Sequence, residues 1–439
     1  MCDRDPAPRT GSAGRVLLVC LSFGLGAALA TDAAAAGATN AKAGALNVLY
    51  AFKGAEDGAY PEAAPFMDVN GDLYGTTYAG GAAKCGAVYR LRKSQGGAWA
   101  QSVVYSFTCG GDGANPAGGV VMDAKGNLYG GTAFGGSGNC MSNGTLVGCG
   151  TVYALSPAKD GKWRQSTLYS WPAPNRAFEG PMASLTLDRK GTLYGTTAAN
   201  NPCANDLGSV FALKPVNDSW NERDLHRFCG SGSDGSVPGS GALAIDASGN
   251  LYGTTMAGGS GGRGVVFQLS PSSGGKWQFT KIHEFTPDEG GNLQGGLTLD
   301  AAGNLYGSEM AGTSGYGAIF ELSHSTAGWQ EQTLAAFGGS NGIGPWQTPV
   351  FDGHGNLFGT TQRGGAAPYC GSCGVIYKLA PNGDGTWSET VVYNFGSRPN
   401  SADGATPIGG LTLGRDGNFY GTAYQGGDAS YGVVYQFTP

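Results

Sequence analysis

An all-β chain folded as a seven-bladed β-propeller, four strands to a blade, is the fold class this sequence predicts, on three observations. The stretch "GNLYGTT" at 249–255 returns in near copies starting at 71, 126, 191, 303, 355 and 417. Each copy sits among four short runs in which apolar and polar residues alternate. The chain is also out of phase with its own repeat, opening on a lone fourth run, "LNVLYAF" (46–52), and closing on a third, "GVVYQFTP" (432–439). A fixed repeat of this kind marks one supersecondary unit that stacks on its copies. A first strand that completes the last unit closes the ring and leaves no unpaired edge.

Taken in chain order, residues 1–30 read as a signal peptide: Arg9 and Arg15 precede the apolar run 16–30, which ends on small residues. Val19 stands where a lipoprotein signal needs a small residue before Cys20, so no lipid anchor is expected. Residues 31–45, rich in Ala and Gly, read as a spacer, and 46–439 as the propeller. No apolar run after the leader is long enough to span a membrane. The motif aromatics Tyr74, Tyr129, Tyr194, Tyr252, Tyr306, Phe358 and Tyr420 are 52 to 65 residues apart. Within a unit, the first strand ends in Asp, as in "GLTLD" (296–300), and the motif is the second. An alternating run such as "GVVFQL" (264–269) is the third, and a run starting near a tryptophan and ending like "KIHEF" (281–285) is the fourth.

"DASGN" (246–250) and its siblings join the first two strands; Asp bonds its own turn amides and Gly accepts a positive φ. "DVNGD" (68–72) alone looks like the start of a calcium loop, but its siblings lack the second carboxylate. Trp99, Trp163, Trp220, Trp277, Trp329 and Trp387 recur one per unit, six residues before Tyr105, Tyr169, His226, His283, Ala335 and Tyr393, and read as packing between sheets.

Composition narrows the partners. The formal net charge is −6, with both signs scattered along the chain, which argues against nucleic acid. Gly is 81 of 439 residues, as many tight turns require. Eight of the ten cysteines lie beyond the leader, an even number suited to an oxidising compartment. Cys85 and Cys203 fall between second and third strands, and Cys109 and Cys229 follow the fourth strands of the same units. Those two connections emerge on one face, so the expected bridges are Cys85–Cys109 and Cys203–Cys229, with Cys140–Cys149 and Cys370–Cys373 closing local loops.

The motif "GNLYGTT..GG....G.VF.L", complete at Gly249–Leu269 and recognisable in every unit, resembles the GloVer tandem repeat of exported bacterial proteins. The resemblance implies export, and often a C-terminal sorting anchor, which is not expected after Pro439; it brings no catalytic residues. The "D..GN.Y" hairpin is similar to those of NHL and streptogramin-lyase propellers, a likeness of fold rather than activity.

Chemistry is sparse. There are four histidines: His226 and His283 occupy a slot held elsewhere by tyrosine, and His324 and His354 belong to the face opposite the cysteines. No "GxSxG" or "HExxH" occurs, and neither a cofactor nor a metal is expected. "DGAYP", "DGANP", "DGSVP" and "DGATP" (starting at 57, 112, 234 and 403) read as turns, with a cation-holding ring as the alternative. The copies diverge just after the motif, on the cysteine face. The candidate ligand-binding residues are therefore Tyr78, Phe134, Glu309, Gln362, Arg363, Tyr424 and Gln425, with Trp346, which stands outside the repeat pattern. Aromatic rings beside Arg, Glu and Gln suit sugars, and a Glu309–Arg363 ion pair is the plainer alternative. The expected function is an exported, non-catalytic, monomeric binding or scaffold propeller for a polysaccharide or envelope protein. The alternative is a polysaccharide lyase in which Tyr78 or Tyr424 moves the proton and Arg363 neutralises a uronate.

Overall fold

Seven small antiparallel sheets succeed one another along the chain, each running first, second, third, fourth strand from the inside outward. The computed structural model describes residues 44–142, 145–172, 180–198, 206–217, 219–229 and 232–439. The proposed leader, most of the spacer and Cys203 lie outside the described residues, and so does the Cys203–Cys229 pairing.

Blade 1 is Phe66–Met67, Leu73–Thr77, Ala87–Lys93 and Trp99–Ser106, and blade 2 is Val121–Met122, Leu128–Thr132, Thr151–Pro157 and Trp163–Ser170. Blade 3 is Thr186–Leu187, Leu193–Thr197, Asp206–Val216 and Ser219–Cys229. Blade 4 is Ala244–Ile245, Leu251–Ala257, Val265–Pro271 and Trp277–Glu284, and blade 5 is Thr298–Leu299, Leu305–Glu309, Ala318–Ser325 and Gly328–Ala336. Blade 6 is Val350–Phe351, Leu357–Arg363, Val375–Pro381 and Trp387–Asn394. Blade 7 takes Leu411–Leu413, Phe419–Ala423 and Val433–Thr438 from the end of the chain and Ala45–Ala51 from its start, paired antiparallel from Ala45↔Thr438 to Ala51↔Val433. Arg398 latches this closure, its Nη2 donating to the Leu46 carbonyl at 3.0 Å.

Each letter of the motif has a separate task. The leucine is fully buried. The aromatic ring meets the tryptophan of the next blade, as in Tyr74–Trp163 at 6.1 Å and Tyr194–Trp277 at 6.0 Å. Its hydroxyl donates to the hairpin Asp, Tyr252 to Asp246 at 3.0 Å. The tryptophans are thus wedges between blades, as their spacing implied. The glycine between aromatic and threonine makes room for the third-strand ring: a Cβ on Gly253 would lie 2.5 Å from Phe267 Cζ and 2.7 Å from Leu243 Cδ2. The last threonine accepts from the third strand, Val265 N–H to Thr255 Oγ1 at 3.0 Å, and donates to Ala257 O at 2.9 Å.

The fourth strand carries a β-bulge at the same place in every blade, between partners such as Val266↔His283 and Phe267↔Lys281. The extra residue is always aliphatic: Leu49, Val104, Leu168, Leu225, Ile282, Leu334 and Val392. A bulge sets two residues of one strand against one of its partner and re-aims the side chains beyond it. The next residue after each bulge occupies the recurring slot, held mostly by Tyr or His. In blades 7, 1 and 6, Tyr50, Tyr105 and Tyr393 donate to Asp57, Asp112 and Asp403 at 2.9, 3.0 and 2.8 Å. His226 Nε2 lies 2.8 Å from Asp234.

Candidate functional site

The site is built from the inside outward. The first hydroxyl of the motif reaches sideways to a carbonyl of the next blade's innermost segment: Thr76 to Gly118 (2.9 Å), Thr254 to Gly295 (2.7 Å), Ser308 to Gln347 (3.1 Å) and Thr422 to Ala63 (3.0 Å). Thr196 and Thr360 do the same to Gly239 and Pro407. Blade 2 has Gly131 here, and a Cβ would lie 2.7 Å from Pro181 Cγ. These bonds place Ala63, Gly118, Gly295 and Gln347 at one level of the ring.

The innermost segments touch one another round the axis. Gly119 N–H donates to Ser184 Oγ at 2.8 Å, and a Cβ on Gly296 would lie 3.1 Å from Thr348 Oγ1. Gly410 faces Gln347, Gly409 faces Ala63, and Gly241 lies against Gly296. Accessibility alternates along the segments of blades 1 and 3, as strand geometry requires: Glu62, Ala64 and Phe66 are partly open while Ala63 and Pro65 are buried, and Met182, Ser184 and Thr186 repeat the pattern; the pairing of each first strand with the motif carries the same levels to the other blades. The level of Ala64, Gly119, Ser184, Ala242, Gly296, Thr348 and Gly410 is therefore a collar of small residues. One level nearer the cysteine face, the residue after each loop proline or its equivalent changes from blade to blade. Glu62, Met182, Gln294, Trp346 and Ile408 stand there, with the smaller Ala117 and Ser240 completing the rim. Small residues at one level and unlike, mostly larger ones at the next define what we term the axial cup.

Glu62 is the unusual member. Its side chain is half-buried, and it has no hydrogen bond or ion pair among the described residues. Burial alone pushes it up to about 8, with no charged neighbour contributing. Above the cup, Tyr424 stacks on Tyr60 with centroids 5.0 Å apart, and Tyr431 meets Tyr60 edge-on at 5.7 Å.

The residues singled out from the sequence fall into three places. Trp346, partly open, belongs to the cup, and Tyr424 stands above it. Tyr78 and Phe134 are half-buried at the ends of their second strands, where Tyr78 O accepts from Asn115 Nδ2 at 3.0 Å and Phe134 O is bridged to Ala114. Gln362 is half-buried, and Arg363 and Gln425 are exposed. Glu309 is not on the surface. At 1% exposure it fills the last threonine position of its motif, and its Oε2 accepts the Gly291 N–H at 2.7 Å. Burial pushes it up to about 7 against that bond, and Glu331 and Glu289 add repulsion. No ion pair joins Glu309 to Arg363 among the described residues, so the plainer alternative does not form. The cup residues Glu62, Met182, Gln294 and Ile408 were missed in the sequence. Their signal was there, in the position four residues before the first strand's partner of the motif aromatic, which holds a different residue in every blade.

The other candidate chemistry is framework. The loop carboxylates are spent on turn amides as well as on the fourth-strand hydroxyls: Lys53, Thr108 and Ser397 donate N–H to Asp57, Asp112 and Asp403 at 2.8, 2.8 and 2.9 Å. The ring of carboxylates for a cation is not what they build, and no group of three or more His, Cys, Asp or Glu among the described residues is placed to hold a metal ion. In "DVNGD", Asp72 is tied to Arg92 Nη2 at 2.9 Å and lies 3.1 Å from Arg90. His283 sits 3.6 Å from Glu289, His324 packs on Trp329, and His354 is exposed in its hairpin. Bridges Cys85–Cys109, Cys140–Cys149 and Cys370–Cys373 are formed. Between Cys140 and Cys149 a small added ladder pairs Met141 with Leu146, both exposed.

The model of the Gloeobacter/Verrucomicrobia repeat matches residues 35–146, 138–331 and 308–439. No curated protein matches the chain in sequence. Among solved structures, the extracellular domain of a hybrid two-component system from B. thetaiotaomicron is similar over 89% of this chain, at 12% identity and a TM-score of 0.51; the chain spans 39% of that one. The polysaccharide lyase Uly1 is similar over 86% of this chain and 89% of its own, at 12% identity and a TM-score of 0.47. Likenesses at this identity speak to fold alone.

Proposed function

We propose that this chain, which belongs to the Gloeobacter/Verrucomicrobia repeat family, is an exported, non-catalytic binding propeller that takes a glycan in its axial cup. The observation that carries the reading is the cup itself. Seven blades repeat closely in their strands, wedges and stitches, and they part company at the level of Glu62, Met182, Gln294, Trp346 and Ile408. A pocket closed beneath by small residues, with an indole and hydrogen-bonding side chains at its rim, suits a sugar residue whose C–H face needs an aromatic and whose hydroxyls need planar partners.

Export is supported by the leader-like sequence of 1–30 and by disulfides gathered on the loop face. No helix of the described residues is long and apolar enough to cross a membrane. A non-catalytic role is supported by the engagement of the loop carboxylates, His226 and His283 in the framework. The lyase alternative asks for Arg363, a tyrosine and a carboxylate converging in one funnel; Arg363 is exposed and Glu309 is buried apart from it. The test is a polysaccharide and glycan-array screen of the purified protein beside Trp346→Ala, with product formation followed in the same samples. Binding that is lost in the variant, with no product, is the expected result. Unsaturated product would replace the binding reading with the lyase, and a blank array would end the glycan reading in favour of a protein partner of the envelope.

A further inference from the structure

An unpaired carboxylate inside a protein calls for a reason. Glu62 is half-buried, and its surroundings disfavour the charged form with no protein partner among the described residues to offset that. Other enclosed carboxylates are engaged: Asp57, Asp72, Asp112 and Asp403 each accept two or more hydrogen bonds, and even Glu309 has the Gly291 N–H. Glu62 has none among the described residues, and the blade-2 residue at the same level is the small, apolar Ala117, so the level does not require a carboxylate. The carboxylate is also aimed: its register in the innermost segment is that of Gln294 and Trp346, facing the axis above the collar.

Resting on the glycan reading above, we infer that the cup selects a ligand carrying a protonated amine, such as a sugar residue with a free 2-amino group, which pairs with Glu62 while Trp346 receives its apolar face. The surroundings discriminate between the chemistries available. No lysine or arginine among the described residues competes for Glu62, and the other rim members, Ala117, Met182, Ser240, Gln294, Trp346 and Ile408, carry no charge. A neutral hydroxyl would leave Glu62 in the protonated form that its raised value favours, whereas a cation beside it draws the proton off and holds the carboxylate ionised. An ammonium cancels that charge and gains a charge-assisted hydrogen bond, the stronger kind. The indole favours a cation lying over its face. Met182 and Ile408 supply apolar wall, and Gln294 offers both a donor and an acceptor to a neighbouring hydroxyl.

The experiment compares three oligosaccharides of equal length by titration calorimetry: a glucosamine oligomer with free amines, its fully N-acetylated counterpart, and a glucose oligomer. Each is titrated into the natural protein, Glu62→Gln and Trp346→Ala. The free-amine oligomer should bind roughly 10-fold or more tightly than the other two, and Glu62→Gln should remove that preference while leaving weak binding of all three. Trp346→Ala should weaken all three together. Equal affinity for the amine and the glucose oligomer in the natural protein, or a preference that survives Glu62→Gln, overturns the amine inference and leaves the glycan reading in place. No binding of any of the three, together with a blank array, overturns both. Gln is isosteric with Glu, and an unfolding midpoint of the variant no lower than that of the natural protein shows that a lost preference is not lost structure.

Discussion

Two glycines four positions apart in the same motif are required for different reasons, and a double-mutant cycle separates them. Gly249 has φ +84° with nothing within 4 Å of an added Cβ, so Gly249→Ala meets only backbone strain, about 1–2 kcal/mol for an L-residue held left-handed. Gly253 needs no such φ. A Cβ there would strike Phe267 Cζ at 2.5 Å and Leu243 Cδ2 at 2.7 Å, and Phe267 is wholly buried and Leu243 5% exposed. Gly253→Ala therefore overpacks the blade, at about 1–3 kcal/mol. Phe267→Leu removes the struck atom and, on its own, leaves a cavity. Combined with Gly253→Ala it should recover at least ~1 kcal/mol relative to the sum of the single changes. With Gly249→Ala the coupling should stay below ~0.5 kcal/mol, as for independent sites. Urea unfolding followed by tryptophan fluorescence reads all the variants, and Gly249→Asn, which tolerates the left-handed region, should be milder than Gly249→Ala. Equal coupling of both glycines to Phe267 would refute the argument that the motif's second glycine exists for the third-strand ring.

Three further outcomes are expected. Burial holds His226 and His283 below their ordinary range, so the unfolded chain takes up their protons first, and the stability they contribute, complete above about pH 6.5, is lost as pH falls through that value. His226→Tyr, the residue of the sibling blades, should raise the unfolding midpoint at pH 5 and change it little at pH 8. Glu309 runs the other way. Its carboxyl is raised to about 7, so its cost grows as pH climbs from about 4.5 towards 7 and is on the order of 3 kcal/mol once it is ionised. Glu309→Thr, restoring the motif, should stabilise at pH 8 far more than at pH 5 in a thermal melt, and an equal gain at both would sink the assignment. Deleting Ala45–Ala51 should strip Val433–Thr438 of its outer partner and expose an unpaired edge, giving concentration-dependent oligomers by light scattering.

What the sequence made legible is what a repeat can write. The phase of "LNVLYAF" against "GVVYQFTP" implied closure, the loop positions of the cysteines implied bridges at Cys85–Cys109 and Cys140–Cys149, and tryptophan spacing implied wedges. The fourth-strand bulge was not legible, because an extra residue in a strand changes no letter. Only its effect, an aliphatic residue ahead of the Tyr or His slot, can be seen, and it is hidden inside an apparently regular run. Glu309 was misplaced for a related reason. A glutamate at the end of a surface-bound strand looks exposed, yet the strand ends under the loop, where Gly290 has no side chain and the carboxylate fills the space. Residues of the cup escaped because they come after a turn whose recurrence within the chain drew attention to the Asp and Pro rather than to Glu62 or Gln294 just beyond.

Blade 7 joins strands from opposite ends of the described chain, with Gly44 N–H donating to Thr438 O at 2.7 Å. The other six blades are local in sequence and can form in the order in which their residues become available. The seventh cannot, since its outer strand arrives first and must wait for the last residues. Rings of this kind complete late, and loop closure over so long a stretch is slow. For a polypeptide threaded end to end through a membrane, the interval before closure is one in which the chain is already on the far side and still open. On the export proposed above, the stability gained when blade 7 shuts would act as a one-way catch, making return unfavourable once the final strand has crossed.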